Sequence, residues 1–208
     1  MTTAICFDLD GTLLRFDRSY RAVRQAVFEE SLGEATPAML EASGTAFFDA
    51  IAACEPEPYH AGVKAAIEAA EGDIDADVDD VVETLLVAEK RATKVPPGTR
   101  ESLAALAAEN PLAVVTNGTS EFQREKLAHH DLTDYFETVV TAYDVGASKP
   151  DAAIFEAVRE QIDAEEYVMV GDDYEADVEG ARGAGFVPVH VEDTEDAPDF
   201  WATLQAFV

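Results

Sequence analysis

The chain is short of positive charge. Against 43 aspartates and glutamates it carries 14 lysines and arginines, and five of these are lysine, at Lys64, Lys90, Lys94, Lys126 and Lys149. The resulting net charge of -29 repels nucleic acid and anionic membranes, so neither is expected as a partner. Cysteine is equally scarce. Cys6 and Cys54 are too few for a disulfide framework, and Cys6 lies in an apolar run, where a buried thiol is expected. No apolar stretch approaches the roughly 18 residues of a membrane span. The N-terminus also lacks the basic and apolar regions of a signal peptide, because charged residues begin at Asp8. Internal repeats and low-complexity linkers are missing too. These absences favour a cytoplasmic globular protein. The acids are spread along the whole sequence rather than gathered in a tail. That pattern is expected of a protein adapted to a high-salt cytoplasm, where screening weakens self-repulsion.

What is present is a globular amount of apolar sequence, with 48% hydrophobic residues in 208. This is enough for one sizeable core plus an insertion. Four short, nearly continuous apolar runs, Ala4–Phe7, Leu112–Thr116, Tyr167–Val170 and Val187–Val191, read as strands covered on both faces. Thr138–Ala142 is a weaker fifth. Helical patterns over Thr99–Glu109, Phe122–Leu127, Ala152–Gln161 and Asp177–Ala184 separate the later runs. Strands alternating with helices predict an α/β fold, a Rossmann-like parallel sheet with helices on both faces. Between Asp17 and Ala92 the alternation stops. Tyr20, Val23 and Val27 recur at helical spacing, as do Met39, Phe47 and Ile51 more loosely, and Val78, Val81, Val82, Leu85, Leu86 and Glu89 form another stretch. The expectation is a domain of about four helices over residues 17–92, inserted into an α/β core of residues 1–16 and 93–208.

The chemistry gathers where strands end. Asp8 and Asp10 stand two apart after the first run, so they would share one face of an extended chain, and Gly11 permits a sharp turn. Two such acids can hold a divalent cation, attack a substrate or move a proton. Thr116, Asn117 and Gly118 follow the second run. Ser148, Lys149 and Pro150 come a loop after the weaker third, and Gly171, Asp172 and Asp173 follow the fourth, with Asp177 next. Ligands of open parallel sheets bind outside the carboxyl ends of the strands, so these groups should converge. Each alone could be turn or capping chemistry. Their joint order at successive strand ends is harder to account for that way.

In this order the residues resemble the motifs of the haloacid dehalogenase-like (HAD) hydrolase superfamily. The motifs are Asp8–Thr12, Thr116, Lys149-Pro150 and Gly171-Asp172 with Asp177, and the run Gly180–Gly185 is similar to the family's following helix and turn. The insert looks like the family's helical cap. The resemblance implies an aspartyl-phosphate chemistry with magnesium as cofactor. Asp8 would be the nucleophile. Asp10 would protonate the departing alkoxide and later take a proton from water. Asp8, Asp172 and the backbone carbonyl of Asp10 would bind Mg2+. Thr116, Asn117 and Gly118 would hold phosphate oxygens together with Lys149. Asp173 and Asp177 would orient Lys149 or metal-bound water. The implied activity is hydrolysis of a small phosphorylated metabolite. Asp10 speaks against a 2-haloacid dehalogenase, whose halide leaving group needs no acid. A phosphomutase, or a non-catalytic binding member, are the alternatives.

The segment from Thr116 to Gln123 resembles a branch containing nucleoside 5′-monophosphate and acylneuraminate phosphatases, with Gln123 and the helix after it as the carriers. Specificity is expected to lie in the cap, where Arg15, Arg18, Tyr20 and Arg21 could contact an anionic or aromatic substrate. Asp73, Asp75 and Asp77 imitate a calcium loop. However, Val78 replaces its glycine and Thr84 its bidentate glutamate, so they read as a loop and helix start. His129 and His130 fall at a helix end, and His60 and His190 have no accompanying zinc pattern. Of the five lysines, Lys149 alone stands in one of these motifs.

Overall fold

Residues 2–192 and 200–207 are described by a computed structural model. The chain divides into two compact units, residues 1–15 with 95–208, and residues 16–94.

The first unit is an α/β sandwich built on β1 (Thr3–Phe7), β4 (Leu112–Thr116), β5 (Thr138–Thr141), β6 (Glu166–Gly171) and β7 (Val187–His190). Strands β2 (Arg15–Phe16) and β3 (Thr93–Lys94) form a separate pair. The five strands run parallel in the order β5-β4-β1-β6-β7. All five residues of β1 and of β4 are buried. A strand covered on both faces has no polar side to present, which is why these runs lack alternation. Around the sheet stand α5 (Thr99–Ala107), α6 (Ser120–His129), the short α7 (Ala142–Val145), α8 (Ala152–Gln161), the short α9 (Gly180–Gly183) and α10 (Phe200–Phe207). Ile5, Phe7, Leu103, Leu112, Val114, Leu127, Val168 and Val170 make the centre of the core. Burial of each large side chain contributes roughly 1.5–3 kcal/mol.

The strand order positions the chemistry. After β1 the sheet grows outward through β4 and β5. It then returns to the other side of β1 with β6 and β7. Phe7 pairs with Val114 on one side and Val170 on the other. The residue after Phe7 therefore emerges between the ends of β4 and β6, at the point where the strand order reverses.

The second unit is helical. It contains α1 (Tyr20–Ser31), α2 (Pro37–Ala52), α3 (Pro58–Glu68) and α4 (Val78–Ala92). Ser19, Thr36 and Asp77 cap the starts of α1, α2 and α4 through their side chains, and Pro37 occupies the first turn of α2. Its core combines Val23, Val27, Phe28, Met39, Phe47, Val63, Val81 and Leu85, with the Phe47 and Tyr59 rings 4.9 Å apart. Asp77 accepts from the Asp79 amide, so the last acid of the run before α4 is spent on a helix start, and Asp73 and Asp75 lie in the loop ahead of it. Arg18 is paired with Asp17 at 3.0 Å. Two short strands, β2 (Arg15–Phe16) and β3 (Thr93–Lys94), pair at the ends of this segment. Two-residue strands carry too little pattern to be read from sequence.

The helix expected over Asp177–Ala184 differs in detail. A π-helical turn, Tyr174–Glu179, precedes α9, and Asp177 lies within it. The glycines at 180, 183 and 185 leave little side-chain packing to hold a longer regular helix here.

Candidate active site

Asp8 follows β1 directly, and its amide donates to the Val170 carbonyl at 2.8 Å, extending the β1–β6 ladder by one residue. Its carboxylate meets Lys149. The Lys149 ammonium donates to Asp8 Oδ1 at 2.7 Å, to Asp177 Oδ1 at 2.6 Å and to the Val115 carbonyl at 2.8 Å. Lys149 and Asp177 are both buried. The other oxygen of Asp177 accepts from the Asp173 amide at 3.0 Å. Asp172 stands opposite, and its Oδ1 accepts from the Thr12 hydroxyl at 2.8 Å. Gly11 makes room for it. A Cβ on Gly11 would lie 2.3 Å from Asp172 Oδ2, and the backbone there has φ of 95°. Both the close approach and the conformation require glycine.

Thr116 ends β4, and its hydroxyl oxygen accepts from the Gly118 amide at 3.2 Å and from Gln123 Nε2 at 2.8 Å. Asn117 Oδ1 accepts from the Lys149 amide at 2.8 Å, and its Nδ2 donates to the Lys149 carbonyl at 3.1 Å. The Asn117 side chain thus anchors the backbone of the lysine loop, which sets where Lys149 enters the cluster. The phosphate role expected of Asn117 belongs to its backbone N–H, and the anchoring of its side chain leaves that expectation untouched.

Two further placements bear on the site. The Asp173 carboxylate accepts from the amides of Glu175 and Ala176, so it caps the π-helical turn instead of facing Lys149. Asp177 alone of that pair reaches the lysine. Lys126, given no role from sequence, is 1% exposed, and its ammonium sits 2.9 Å from both carboxylate oxygens of Asp10. Gln123 Nε2 donates to Asp10 Oδ2 at 2.9 Å as well as to Thr116. The Asp10 carboxylate is therefore turned toward α6. A signal for Lys126 existed. Phe122, Gln123, Lys126 and Leu127 are the buried residues of α6, and their spacing puts them on one helix face. His190 Nε2 lies 3.1 Å from the Asp172 carbonyl, and His60 pairs with Asp79 at 3.0 Å.

The electrostatics follow from crowding. Burial pushes the Asp8 carboxyl up to about 8, with Lys149 pulling against it and Asp177 adding to the rise. Burial also raises Asp172, and Asp177 reinforces the shift. Burial works against the charge on Lys149, but Asp8 and Asp177 together outweigh it and hold its pKa above the ordinary lysine range. Carboxylate oxygens of Asp8, Asp172 and Asp177 all lie within 4.8 Å of one another. Burial disfavours the negative charge of Asp8 and Asp172, and an all-oxygen set of this kind suits a hard divalent cation.

The sequence profile of the haloacid dehalogenase-like hydrolases matches residues 2–185. A ribulose-1,5-bisphosphate 5-phosphatase of Halopiger xanaduensis is 36% identical over 104 residues, which is 49% of this chain and 44% of that protein. A phosphoserine phosphatase of Thermus thermophilus is 41% identical over 96 residues, 42% of this chain and 39% of that protein. The matched stretches span less than half the length of either relative. Among solved structures, the magnesium-bound HAD-hydrolase YfnB of Bacillus subtilis superposes with a TM-score of 0.75 at 22% identity, over 95% of this chain and 92% of that one. An HAD phosphatase of Thermococcus onnurineus gives 0.65 at 28% identity, over 95% and 89%. With the family profile running from before β1 to the end of the glycine-rich run at Gly185, the chain belongs to the haloacid dehalogenase-like hydrolases.

Proposed function

We propose that this protein is a magnesium-dependent phosphatase of small phosphate monoesters that works through an aspartyl-phosphate on Asp8. The observation that carries the reading is the division of labour between the two acids after β1. Asp8 faces Lys149 and the acid cluster, while Asp10 is held apart by Gln123 and Lys126. A nucleophile and a proton carrier need such separate environments.

In the first step an Asp8 carboxylate oxygen bonds to phosphorus and the bond to the ester oxygen breaks. Asp10 gives its proton to the departing alkoxide. In the second step water attacks the phosphorus, Asp10 takes the proton, and the bond from Asp8 breaks to release phosphate. Thr116 and the peptide N–H groups after β4 would grip the phosphoryl oxygens, and Lys149 would offset the charge that spreads over them. Asp8, Asp172 and the Asp10 carbonyl are the groups we assign to Mg2+, with Asp177 close by. The cation supplies charge neutralisation between an anionic substrate and an anionic nucleophile.

The names of the relatives support a small phosphorylated metabolite as substrate, and their variety leaves the particular ester open. We assign substrate selection to the helical segment 17–92 as a cap. Among the described residues no helix is long and apolar enough to cross a membrane. With the charge of -29, this supports a cytoplasmic site of action in high salt, without nucleic acid or membrane as partner. The reading is tested by phosphate release from a panel of phosphorylated metabolites in molar potassium chloride, with and without Mg2+. Turnover that needs Mg2+ and vanishes in Asp8→Asn supports it; equal turnover by the variant overturns it.

A further inference from the structure

Lys126 and Gln123 invite a role that the family motifs do not assign. They sit three residues apart on α6, and both are buried, at 1% and 2% exposure. The Asp10 side chain between them remains 30% exposed. A fully covered lysine thus reaches out from beneath to a carboxylate that faces solvent at the strand ends. The approach is tight, because a Cβ on Gly118 would lie 2.3 Å from Gln123 Nε2. The Phe122 ring lies under the Lys126 ammonium, 4.8 Å away, and fixes the side of the helix on which that ammonium sits. Gln123 Nε2 bonds Asp10 and Thr116 together, and its Oε1 is buried without a hydrogen-bond partner among the described residues. A buried ion pair adds little stability over apolar residues of the same volume. Fold stability alone is therefore a weak reason for a lysine-poor chain to keep this one.

We propose that Lys126 and Gln123 are positioning residues that hold the Asp10 carboxylate in one orientation toward the leaving oxygen. The clamp suits the protein to esters whose alkoxide leaves poorly, such as sugar or polyol phosphates. It also couples the Thr116 hydroxyl to Asp10 through one amide nitrogen, so both are aligned by the same helix. The inference rests on the reading of Asp10 as the proton carrier.

The test compares wild type, Lys126→Met, Gln123→Leu and Asp10→Asn on two substrates. One is a polyol phosphate. The other is dinitrophenyl phosphate, whose leaving group needs no proton. Single-turnover rates of ester cleavage isolate the first step. Asp10→Asn should lose roughly 10²-fold or more on the polyol ester, the usual scale of general acid catalysis, and little on the activated one. Lys126→Met should show the same selectivity, with KM nearly unchanged, and Gln123→Leu a weaker version of it. Equal slowing of both esters, or no slowing, in the Lys126 and Gln123 variants overturns the clamp while Asp10→Asn stays selective. Loss of selectivity in Asp10→Asn itself overturns the role of Asp10, and the clamp with it. Should Lys126→Met fail to fold, Gln123→Leu, close in volume and uncharged, decides the matter by the same criterion.

Discussion

Lys149 joins two acids and a carbonyl with a single ammonium group, and every partner comes from a different part of the chain. Removing it leaves Asp8 and Asp177 buried side by side without a counter-charge. Breaking a buried pair in this way costs about 3–5 kcal/mol. Lys149→Met should therefore lower the urea midpoint strongly, and a second change, Asp177→Asn, should recover part of the loss. An unaltered midpoint in the single variant would show that the cluster does not depend on Lys149. At this scale the sequence was readable where a residue belongs to a motif. Asp8, Asp172, Lys149 and Asp177 were each singled out, and the fold brings them together. It was less readable where a polar residue serves the backbone. Asn117 anchors the lysine loop and Asp173 caps a turn, and side-chain type alone does not separate such duties from ligand binding. Lys126 was missed because a lysine on a helix normally reaches solvent.

The elements set the site by where strands stop. β1, β4 and β6 could be recognised as continuous apolar runs, since burial on both faces removes the polar half of the pattern. β5 is weaker because it lies at the sheet edge and two of its four residues are half-buried. The paired β2 and β3 are too short to show any period. The loop after β1 is closed by hydrogen bonds from the Gly11 amide to Leu14 and from the Leu14 amide to Leu9, and Gly11 carries the turn. Gly11→Ala meets both a positive φ and Asp172. The expected cost is about 1–3 kcal/mol of backbone strain, together with displacement of the Asp172 carboxylate. Titration by Mg2+ followed by thermal shift should show weaker stabilisation than in wild type, because ligand stabilisation falls as Kd rises. An identical Mg2+ response would separate Asp172 from the metal site.

At the scale of the whole molecule, charge dominates. A net charge of -29 on 208 residues drives self-repulsion that dilute buffer does little to reduce. The Debye length is about 10 Å at 0.1 M salt and about 3 Å at 1 M, so molar salt screens contacts between neighbouring surface acids. Thermal melts in increasing potassium chloride should rise steadily into the molar range. A melting point that is highest in dilute buffer would remove the case for high-salt adaptation. Composition is fully legible in a sequence, and so is a run of helices that interrupts the alternation of strands and helices. Substrate choice is not, because it depends on how side chains of distant segments face one ester, and no local pattern records that.

The most direct measurement is acid quench of the protein during turnover with Mg2+ and a phosphate ester, followed by peptide mass analysis. The account predicts one phosphoryl group on the peptide containing Asp8, and its absence in Asp8→Asn. A phosphoryl group on another residue, or turnover that persists in Asp8→Asn, would contradict it.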